Sequence, residues 1–302
     1  SYEGEHDWSF STIRDNEANN GGVAYGGTHQ WLQSAIRNNS ADDRGGVAYE
    51  GTHNWTACYV YINSANYGGV SHEGDHSWSR WRITGNIADT DGSISHRGSH
   101  SWRQCIIRGL SDGDQFNSLI REGTHTWTNC SISMNNTIDP LIYSISQHLI
   151  SARNCIIAGN LMDGGNFGGK SFFHCLLTDT SGYPDASFTK CIYLSNFEAP
   201  YTHQVFMNDN LQISPLSPAV DRGNRNFCGE GYDIFYEDRH KGNIDIGAHE
   251  VNRIEMSGTR YASIQDALND VYDYGSIRVL SPLYRMTEEI SCPTLSTITS
   301  IT

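Results

Sequence analysis

The sequence predicts an all-β fold, a parallel β-helix in which short strands wind into a solenoid. Two observations predict it. The motif Gly-x-His-x-Trp occurs six times, and its tryptophans follow one another at intervals of 23 to 25 residues. Each repeat also holds three short strand-like segments with Gly and Asn between them, and no helical periodicity runs through the region. A repeat of this length with several short strands is typical of one solenoid turn.

Repeated positions predict ladders of identical side chains, because equivalent residues of successive coils lie about 4.8 Å apart. The His ladder contains His6, His29, His53, His76, His100 and His125, and the Trp ladder contains Trp8, Trp31, Trp55, Trp78, Trp102 and Trp127. The Cys ladder contains Cys58, Cys105, Cys130 and Cys155, and the Asn ladder contains Asn16, Asn39, Asn63, Asn86 and Asn135. Asn side chains are expected to bond from rung to rung and to the corner backbone.

The third repeat shows the expected strands, at residues 47–49, 52–56 and 58–61. His53 and Trp55 lie two positions apart, so they point to the same side of their strand. We expect an interior stack of neutral imidazoles that bond along the ladder, with indoles beside them. The alternatives are an outward aromatic stripe that binds glycans, and a metal site, which is disfavoured because all the imidazoles approach from one side. A buried ladder makes protonation near pH 6 costly.

The eight cysteines show no C-x-x-C pair and no zinc-site spacing. Stacked neighbours such as Cys130 and Cys155 come close enough for a disulfide, but their parallel Cβ vectors disfavour the bond. The sequence therefore predicts buried free thiols, which behave as small apolar groups.

Several segments resemble a known group of proteins. Gly-Gly-x-x-Tyr, Gly-Thr and Asn-Cys-x-Ile-x-Gly-Asn resemble the right-handed β-helix repeats of bacterial surface and secreted proteins, including polymorphic outer-membrane proteins and the wider pectate-lyase-like superfamily. Residues 214–224 and 242–250 resemble the closing motif of such domains. The resemblance covers roughly residues 1–250 and implies a right-handed helix of about nine or ten coils. Its parts are the repeats at 1–139, degenerate coils at 140–212 and a closing segment at 213–250.

Residues 251–302 have a different pattern and predict a short capping module that contains a helix. Ile264, Leu268 and Val271 share one helical face, and a strand with Ile277 and Val279 follows. The module resembles the N-terminal cap and first rung with which such β-helices begin. Three explanations stay open: the chain is a window from a longer protein with tandem domains, the module caps the first rung of the next protomer, or it folds back over its own chain. The candidate assembly contacts are Ile264, Leu268, Val271, Ile277 and Val279.

Composition disfavours several functions. The net charge is −14 and no Lys/Arg run occurs, so no nucleic-acid partner is expected. No apolar stretch is long enough to span a membrane. An enzymatic function has little support. Parts of a polygalacturonase pattern resemble Asp42, Asp43, residues 239–241 and residues 243–245, but these segments occur in the wrong order along the chain. No cofactor is expected, although corner carboxylates that aligned on one face would bind Ca²⁺. These carboxylates are Asp112, Asp114, Asp163 and Asp185.

The sequence thus favours a non-enzymatic structural or adhesive protein, located outside the cell or on its surface. We expect it to be a protomer or segment of a fibre, joined head to tail through the C-terminal module, with glycans as possible ligands. The alternatives are a polysaccharide lyase or hydrolase and a phage tail-fibre or tailspike protein, the last of which would form lateral trimers.

Overall fold

The computed structural model describes residues 3–108, 119–133, 142–143, 150–158, 170–177, 186–194, 205–206, 211–214, 217–228, 231–236, 239, 243–251, 254–256, 259–261 and 277–279. These residues form an all-β parallel solenoid, which confirms the predicted fold class. Six turns carry the Gly-x-His-x-Trp strand. The count of nine or ten coils stays a prediction, and the helix with Ile264, Leu268 and Val271 lies outside the described residues.

Each of the early turns has four strands, one more than the sequence predicted. The first turn contains β1 (Glu5–Ser9), β2 (Thr12–Arg14), β3 (Glu17–Asn20) and β4 (Ala24–Tyr25). The strand that sequence reasoning missed follows the Asn ladder. In the second turn it reads Ser-Ala-Asp-Asp-Arg and buries Ala41 but exposes Asp42, so it lacks the repeated apolar alternation by which strands are recognised.

Equivalent strands of successive turns pair in parallel and form four sheets. The first sheet contains nine strands, β1, β5 (Thr28–Leu32), β9 (Thr52–Thr56), β13 (Asp75–Ser79), β17 (Ser99–Arg103), β20 (Thr124–Thr128), β23 (Ile150–Arg153), β25 (Lys170–Phe173) and β27 (Ser187–Thr189). The second sheet also contains nine, β2, β6 (Ala35–Arg37), β10 (Tyr59–Tyr61), β14 (Arg82–Thr84), β18 (Ile106–Arg108), β21 (Ser131–Ser133), β24 (Ile156–Ala158), β26 (Leu176–Leu177) and β28 (Ile192–Tyr193).

The third and fourth sheets are shorter. The third contains β3, β7 (Ser40–Arg44), β11 (Ser64–Tyr67) and β15 (Ile87–Asp91). The fourth contains β4, β8 (Ala48–Tyr49), β12 (Ser71–His72), β16 (Ser95–His96), β19 (Ile120–Arg121) and β22 (Ile142–Tyr143). A separate antiparallel sheet has β29 (Ile254–Met256) between β30 (Thr259–Tyr261) and β31 (Ile277–Val279), so Ile277 and Val279 lie in a strand as predicted.

The corner between the first and second sheets has the same conformation in every turn. The residue two positions after each ladder tryptophan has a positive φ of 45° to 57°. These residues are Phe10, Gln33, Ala57, Arg80, Gln104 and Asn129. Most are neither glycine nor asparagine, and a left-handed backbone is unfavourable for such residues. Each turn nevertheless adopts this conformation, which keeps the two sheets in register.

The second sheet carries the apolar interior on one side and a mixed surface on the other. Its inward column is Ile13, Ile36, Val60, Ile83, Ile107 and Ile132, all buried. Its outward column is Thr12, Ala35, Tyr59 and Arg82 in the first four turns, and then Ile106, Ser131, Ile156, Leu176 and Ile192. The outer face therefore changes from polar and aromatic to largely apolar after the fourth turn.

A fold-back segment, formed by the described residues between 205 and 251, covers the apolar part of that outer face. Ile106, Ile156 and Leu176 pack in one cluster with residues of this segment such as Ile234 and Ile246. The segment contains one 3₁₀ helix, Arg225–Phe227. The predicted closing segment at 213–250 thus lies along the side of the solenoid, where apolar side chains of later turns would otherwise face water.

Corner amides of three successive turns hold the fold-back segment in place. Gln104 donates a hydrogen bond to the Tyr232 carbonyl. Asn129 Nδ2 donates to the carbonyl oxygens of Phe227 and Cys228 at 2.8 and 3.0 Å. Asn154 Nδ2 donates to Asn224 O at 2.9 Å and its Oδ1 accepts from Asn224 N at 2.8 Å.

We expect Asn129→Ala to loosen the fold-back segment, because the buried carbonyl of Cys228 and the partly buried carbonyl of Phe227 lose their donor. Alanine already occupies this corner at position 57 with φ 53°, so the backbone tolerates the change. At about 1 kcal/mol per hydrogen bond, the local opening free energy falls by about 2 kcal/mol. Hydrogen exchange of amides 217–228 is the measurement, and Gln33→Ala at the exposed equivalent corner is the control. Unchanged protection in Asn129→Ala would contradict this role.

Candidate functional site

The six repeat histidines stack in register inside the solenoid, in the strands of the first sheet. Successive imidazole centroids are 4.8–5.2 Å apart, and all five pairs are close to parallel. His29, His53, His76, His100 and His125 are buried, while His6 in the first turn is exposed. The structure therefore places the rings from His29 to His125 in the interior, so these five residues do not form an outward aromatic stripe.

Each imidazole bonds to its own corner rather than along the ladder as the sequence reasoning expected. Nε2 of each ring lies 2.6–3.3 Å from the carbonyl oxygen three residues earlier, for example Glu50 O for His53 and Glu73 O for His76. The stacking distance between rings is too long for a direct hydrogen bond. Because a carbonyl only accepts, Nε2 carries the proton in every ring and Nδ1 is left as an acceptor.

Two indoles use that acceptor. Trp55 Nε1 donates to His76 Nδ1 and Trp78 Nε1 donates to His100 Nδ1, each at 3.4 Å. The bonds run from one turn to the next, so they couple the His and Trp ladders along the axis. An imidazolium would present a second N–H to the indole donor, which makes the neutral Nε2–H form the one that fits.

Burial lowers the pKa of the ladder histidines His29, His53, His76 and His100 below their ordinary value. Desolvation, together with neighbouring imidazoles, lowers the pKa of His53 to about 2 and holds those of His76 and His100 well below their usual range. A second buried pair, His72 and His96 in the fourth sheet, stacks at 4.7 Å, and burial lowers their pKa values to about 3 and about 4. All these rings are therefore neutral at physiological pH.

The ladder tryptophans stack beside the histidines. Successive indoles from Trp8 to Trp102 are 4.5–5.6 Å apart and nearly parallel. Trp81, three residues after Trp78, occupies a Cys-ladder position and meets Trp55 and Trp78 edge-on at 88° and 89°. Beyond Trp127 the column continues through Ala152, Phe172 and Phe188.

The Asn ladder forms a continuous hydrogen-bonded column at the next corner. Asn16, Asn39 and Asn63 each donate from Nδ2 to Oδ1 of the Asn in the next turn, at 2.8 to 2.9 Å. Asn63 Nδ2 also lies near the carbonyls of Ile36 and Tyr61, at 3.1 and 3.2 Å. Asn86 ends the described column, since Asn135 lies outside the described residues.

The cysteines of the ladder are free thiols, and Cys58, Cys105, Cys130, Cys155 and Cys175 are buried. Each sulfur lies near the carbonyl two residues earlier, as Cys58 does with Thr56 O at 3.3 Å. Burial raises the pKa of Cys58 to about 11, so this thiol stays protonated and unreactive.

The described candidates for catalysis do not form a site, and His240 and Lys241 lie outside the described residues. Arg239 and Asp245 are fully buried in the fold-back segment, where Arg239 donates to the carbonyls of Gly247 and Asp245 and its Nε lies 3.4 Å from Glu250. Asp245 accepts from the backbone of Asp221 and Val251. Burial raises the pKa of Asp245 to about 7. These groups have no access to a substrate, and they organise the segment's own turns.

The described side chains form no metal centre. Several of the predicted calcium ligands and assembly contacts lie outside the described residues. Among the residues described, no three His, Cys, Asp or Glu side chains come together as metal ligands. Asp42 is exposed, and Asp43 pairs with Arg44 at 3.3 Å. Asp112, Asp114, Asp163 and Asp185 lie outside the described residues, as do the helical candidates Ile264, Leu268 and Val271.

A groove of about 470 Å³ opens where the fold-back segment meets the uncovered part of the second sheet. Tyr59, Arg82 and Arg108 reach it from three successive strands, and Ile234 and Tyr236 form the opposite wall. Sequence reasoning missed it, because its walls come from distant parts of the chain. One sequence feature does indicate the groove: the outward column of the second sheet changes from Tyr59 and Arg82 to Ile106 after the fourth turn.

Comparison of the chain with protein-family models, with curated proteins and with solved structures finds no match. Within the described part of the chain, no helix combines the length and the apolar character needed to cross a membrane.

We expect stability to fall steeply as the pH drops from about 7 towards 4. The unfolded histidines take up protons near 6.5, whereas the folded ladder, with the pKa of His53 at about 2, does not. Each buried neutral imidazole then removes about 1.4 kcal/mol of unfolding free energy per pH unit. Urea unfolding at several pH values, followed by Trp fluorescence, measures the slope.

Replacement variants identify the source of that slope. His76→Leu is expected to reduce the slope by about 1.4 kcal/mol per pH unit, although it also destabilises the protein at pH 7. His6→Leu, at the exposed end of the same ladder, should leave the slope unchanged. Equal slopes in wild type and His76→Leu would show that the buried ladder does not set the acid sensitivity.

Asn63→Ala is expected to lower the unfolding free energy by about 3–5 kcal/mol. The change leaves the N–H of Asn39 and the carbonyls of Ile36 and Tyr61 buried without this partner. Asn16→Ala removes the same amide at the exposed end, and we expect a loss below about 1 kcal/mol. Chemical denaturation of both variants compares them, and similar losses would argue against the ladder as the cause.

Proposed function

We propose that this protein is a non-enzymatic structural or adhesive rod, located outside the cell or on its surface and assembled head to tail. The observation that carries the proposal is the unbroken register of the solenoid. The first described turn repeats the interior pattern, with His6 on His29 and Trp8 on Trp31 at 5.2 and 5.6 Å. Every rung with this motif therefore presents the same cross-section, which a rung from a second copy of the fold matches.

The backbone of the first described turn supports the same proposal. In the second sheet, the first strand residue of each turn donates its N–H to the previous turn, as Ala35 N does to Ser11 O at 2.9 Å and Tyr59 N to Ser34 O at 3.0 Å. Thr12 occupies the equivalent position in β2, so its N–H points along the axis, away from β6. A strand from a second copy at that position would accept its hydrogen bond.

The interior gives the rod its stiffness. The aromatic ladders fill the core in each of the six turns, and the Asn column joins successive corners by hydrogen bonds. Nine strands at about 4.8 Å per rung give a length of roughly 40 Å for the described solenoid. Repetition of one heterologous contact that does not close on itself extends such units into a fibre. We place the predicted module at 251–302, with Ile264, Leu268, Val271, Ile277 and Val279, at the joint.

Electron microscopy of the purified protein tests the proposal. We expect rods several times longer than about 40 Å, with an axial repeat of one chain. Thr12→Pro removes this backbone N–H without removing a hydrogen bond between described residues, and it should shorten the rods to single units. Thr12→Val keeps the N–H and is the matched control. Single particles in wild type, or unaltered rods in Thr12→Pro, would contradict head-to-tail assembly through β2.

A further inference from the structure

The groove on the outer face of the second sheet has a composition that differs from the rest of this acidic chain. Three arginines, Arg80, Arg82 and Arg108, are among its lining residues, and none of the described lining residues is acidic. The whole chain carries a net charge of −14. A basic groove on an acidic protein favours an anionic ligand, because the local guanidinium groups attract it while the remaining surface repels it.

Arg82 is the residue best placed to bind such a ligand. Its Cζ lies 4.6 Å from the ring centroid of Phe235, so the ring supports the guanidinium through a cation–π contact. In the described part of the chain this guanidinium makes no hydrogen bond to a protein group. Its N–H donors form a planar fork that matches the two oxygens of a carboxylate.

Apart from Thr84, the rest of the groove is lined by apolar or aromatic residues. Ala57, Ile106 and Ile234 contribute aliphatic surface, and Tyr59 and Tyr236 are exposed by 42 % and 55 % at the rim. Arg80 Cζ lies 5.3 Å from the Tyr236 ring centroid, which orients that rim. A volume of about 470 Å³ with an apolar lining and a few convergent polar groups is typical of small-molecule sites.

We propose that this groove binds a compact apolar ligand that carries one carboxylate, such as an aromatic acid. The apolar body packs between Tyr59, Ile106 and Ile234, and the carboxylate accepts hydrogen bonds from Arg82. A saccharide fits less well, because its many hydroxyl groups would meet aliphatic side chains. The inference goes beyond the proposed rod: it assigns a ligand to a site on the side of the solenoid, away from the end at which rods would join.

Calorimetric titration of the full chain tests the proposal with 3-phenylpropionate and its uncharged amide. The acid is expected to bind with a dissociation constant below about 1 mM, and the amide at least about tenfold more weakly. Arg82→Gln should weaken binding of the acid at least about tenfold. Arg82→Lys keeps the charge but loses the fork, and an intermediate loss of about fivefold is expected.

Arg14→Gln is the matched control, because Arg14 lies on the outer side of the same sheet but does not line the groove. It should leave the affinity unchanged. The melting temperature of each variant shows whether the fold is retained, and Arg82→Lys keeps the test valid if Arg82→Gln loosens the contact with Phe235.

Further ligands test which kind of molecule supplies the carboxylate. A tripeptide ending in phenylalanine, with a free or an amidated C-terminus, tests whether a peptide terminus supplies the carboxylate, and selective binding of the free form supports the site. Inorganic phosphate or oligogalacturonate that binds as tightly as the acid would overturn the apolar ligand class. The proposed site would be overturned if the acid does not bind, if acid and amide bind equally well, or if Arg14→Gln weakens binding as much as Arg82→Gln does. The rod lengths seen by electron microscopy test the proposed function separately.

Discussion

The constraint on which the structure depends is exact register between successive turns. A period of 23 to 25 residues returns each side chain to the same place, so every contact is made between a residue and its own counterpart one rung away. Parallel strands then stack imidazole on imidazole and indole on indole. A ladder of this kind is selective, because a slip by one residue would turn every buried ring to the outer face.

The interior is unusual because the repeated residue at its centre is polar. Burying a histidine without partners is costly, and this fold removes the cost locally. A left-handed residue at the corner, such as Glu50 or Glu73, presents its carbonyl to the Nε2 of the following histidine. Each repeat therefore supplies a partner for Nε2 of its own imidazole, which explains how the rings can be stacked without an acidic partner among the described residues, and why the stack is neutral.

The sequence predicted what is local and periodic, and missed what joins distant parts of the chain. The six motifs predict the solenoid, and the alternation of His53 and Trp55 predicts that both rings share one side of a strand. The carbonyl partner of His53 depends on the backbone angle of Glu50, which no residue pattern at that position announces. The contacts of Asn129 with Phe227 and Cys228 bridge about a hundred residues, and neither they nor the groove beside Tyr236 follow from the repeat.

The central claim is that a stack of neutral, Nε2-protonated imidazoles fills the solenoid. Nitrogen-15 NMR of the histidine side chains measures it most directly, because the shifts of Nδ1 and Nε2 report the tautomer and the charge of each ring. The account predicts that the buried ladder histidines, from His29 to His125, keep the neutral Nε2–H pattern from pH 8 down to the onset of acid unfolding. Buried ladder imidazoles that titrate near their ordinary pKa of 6.5 within the folded protein, or that carry the proton on Nδ1, would contradict it.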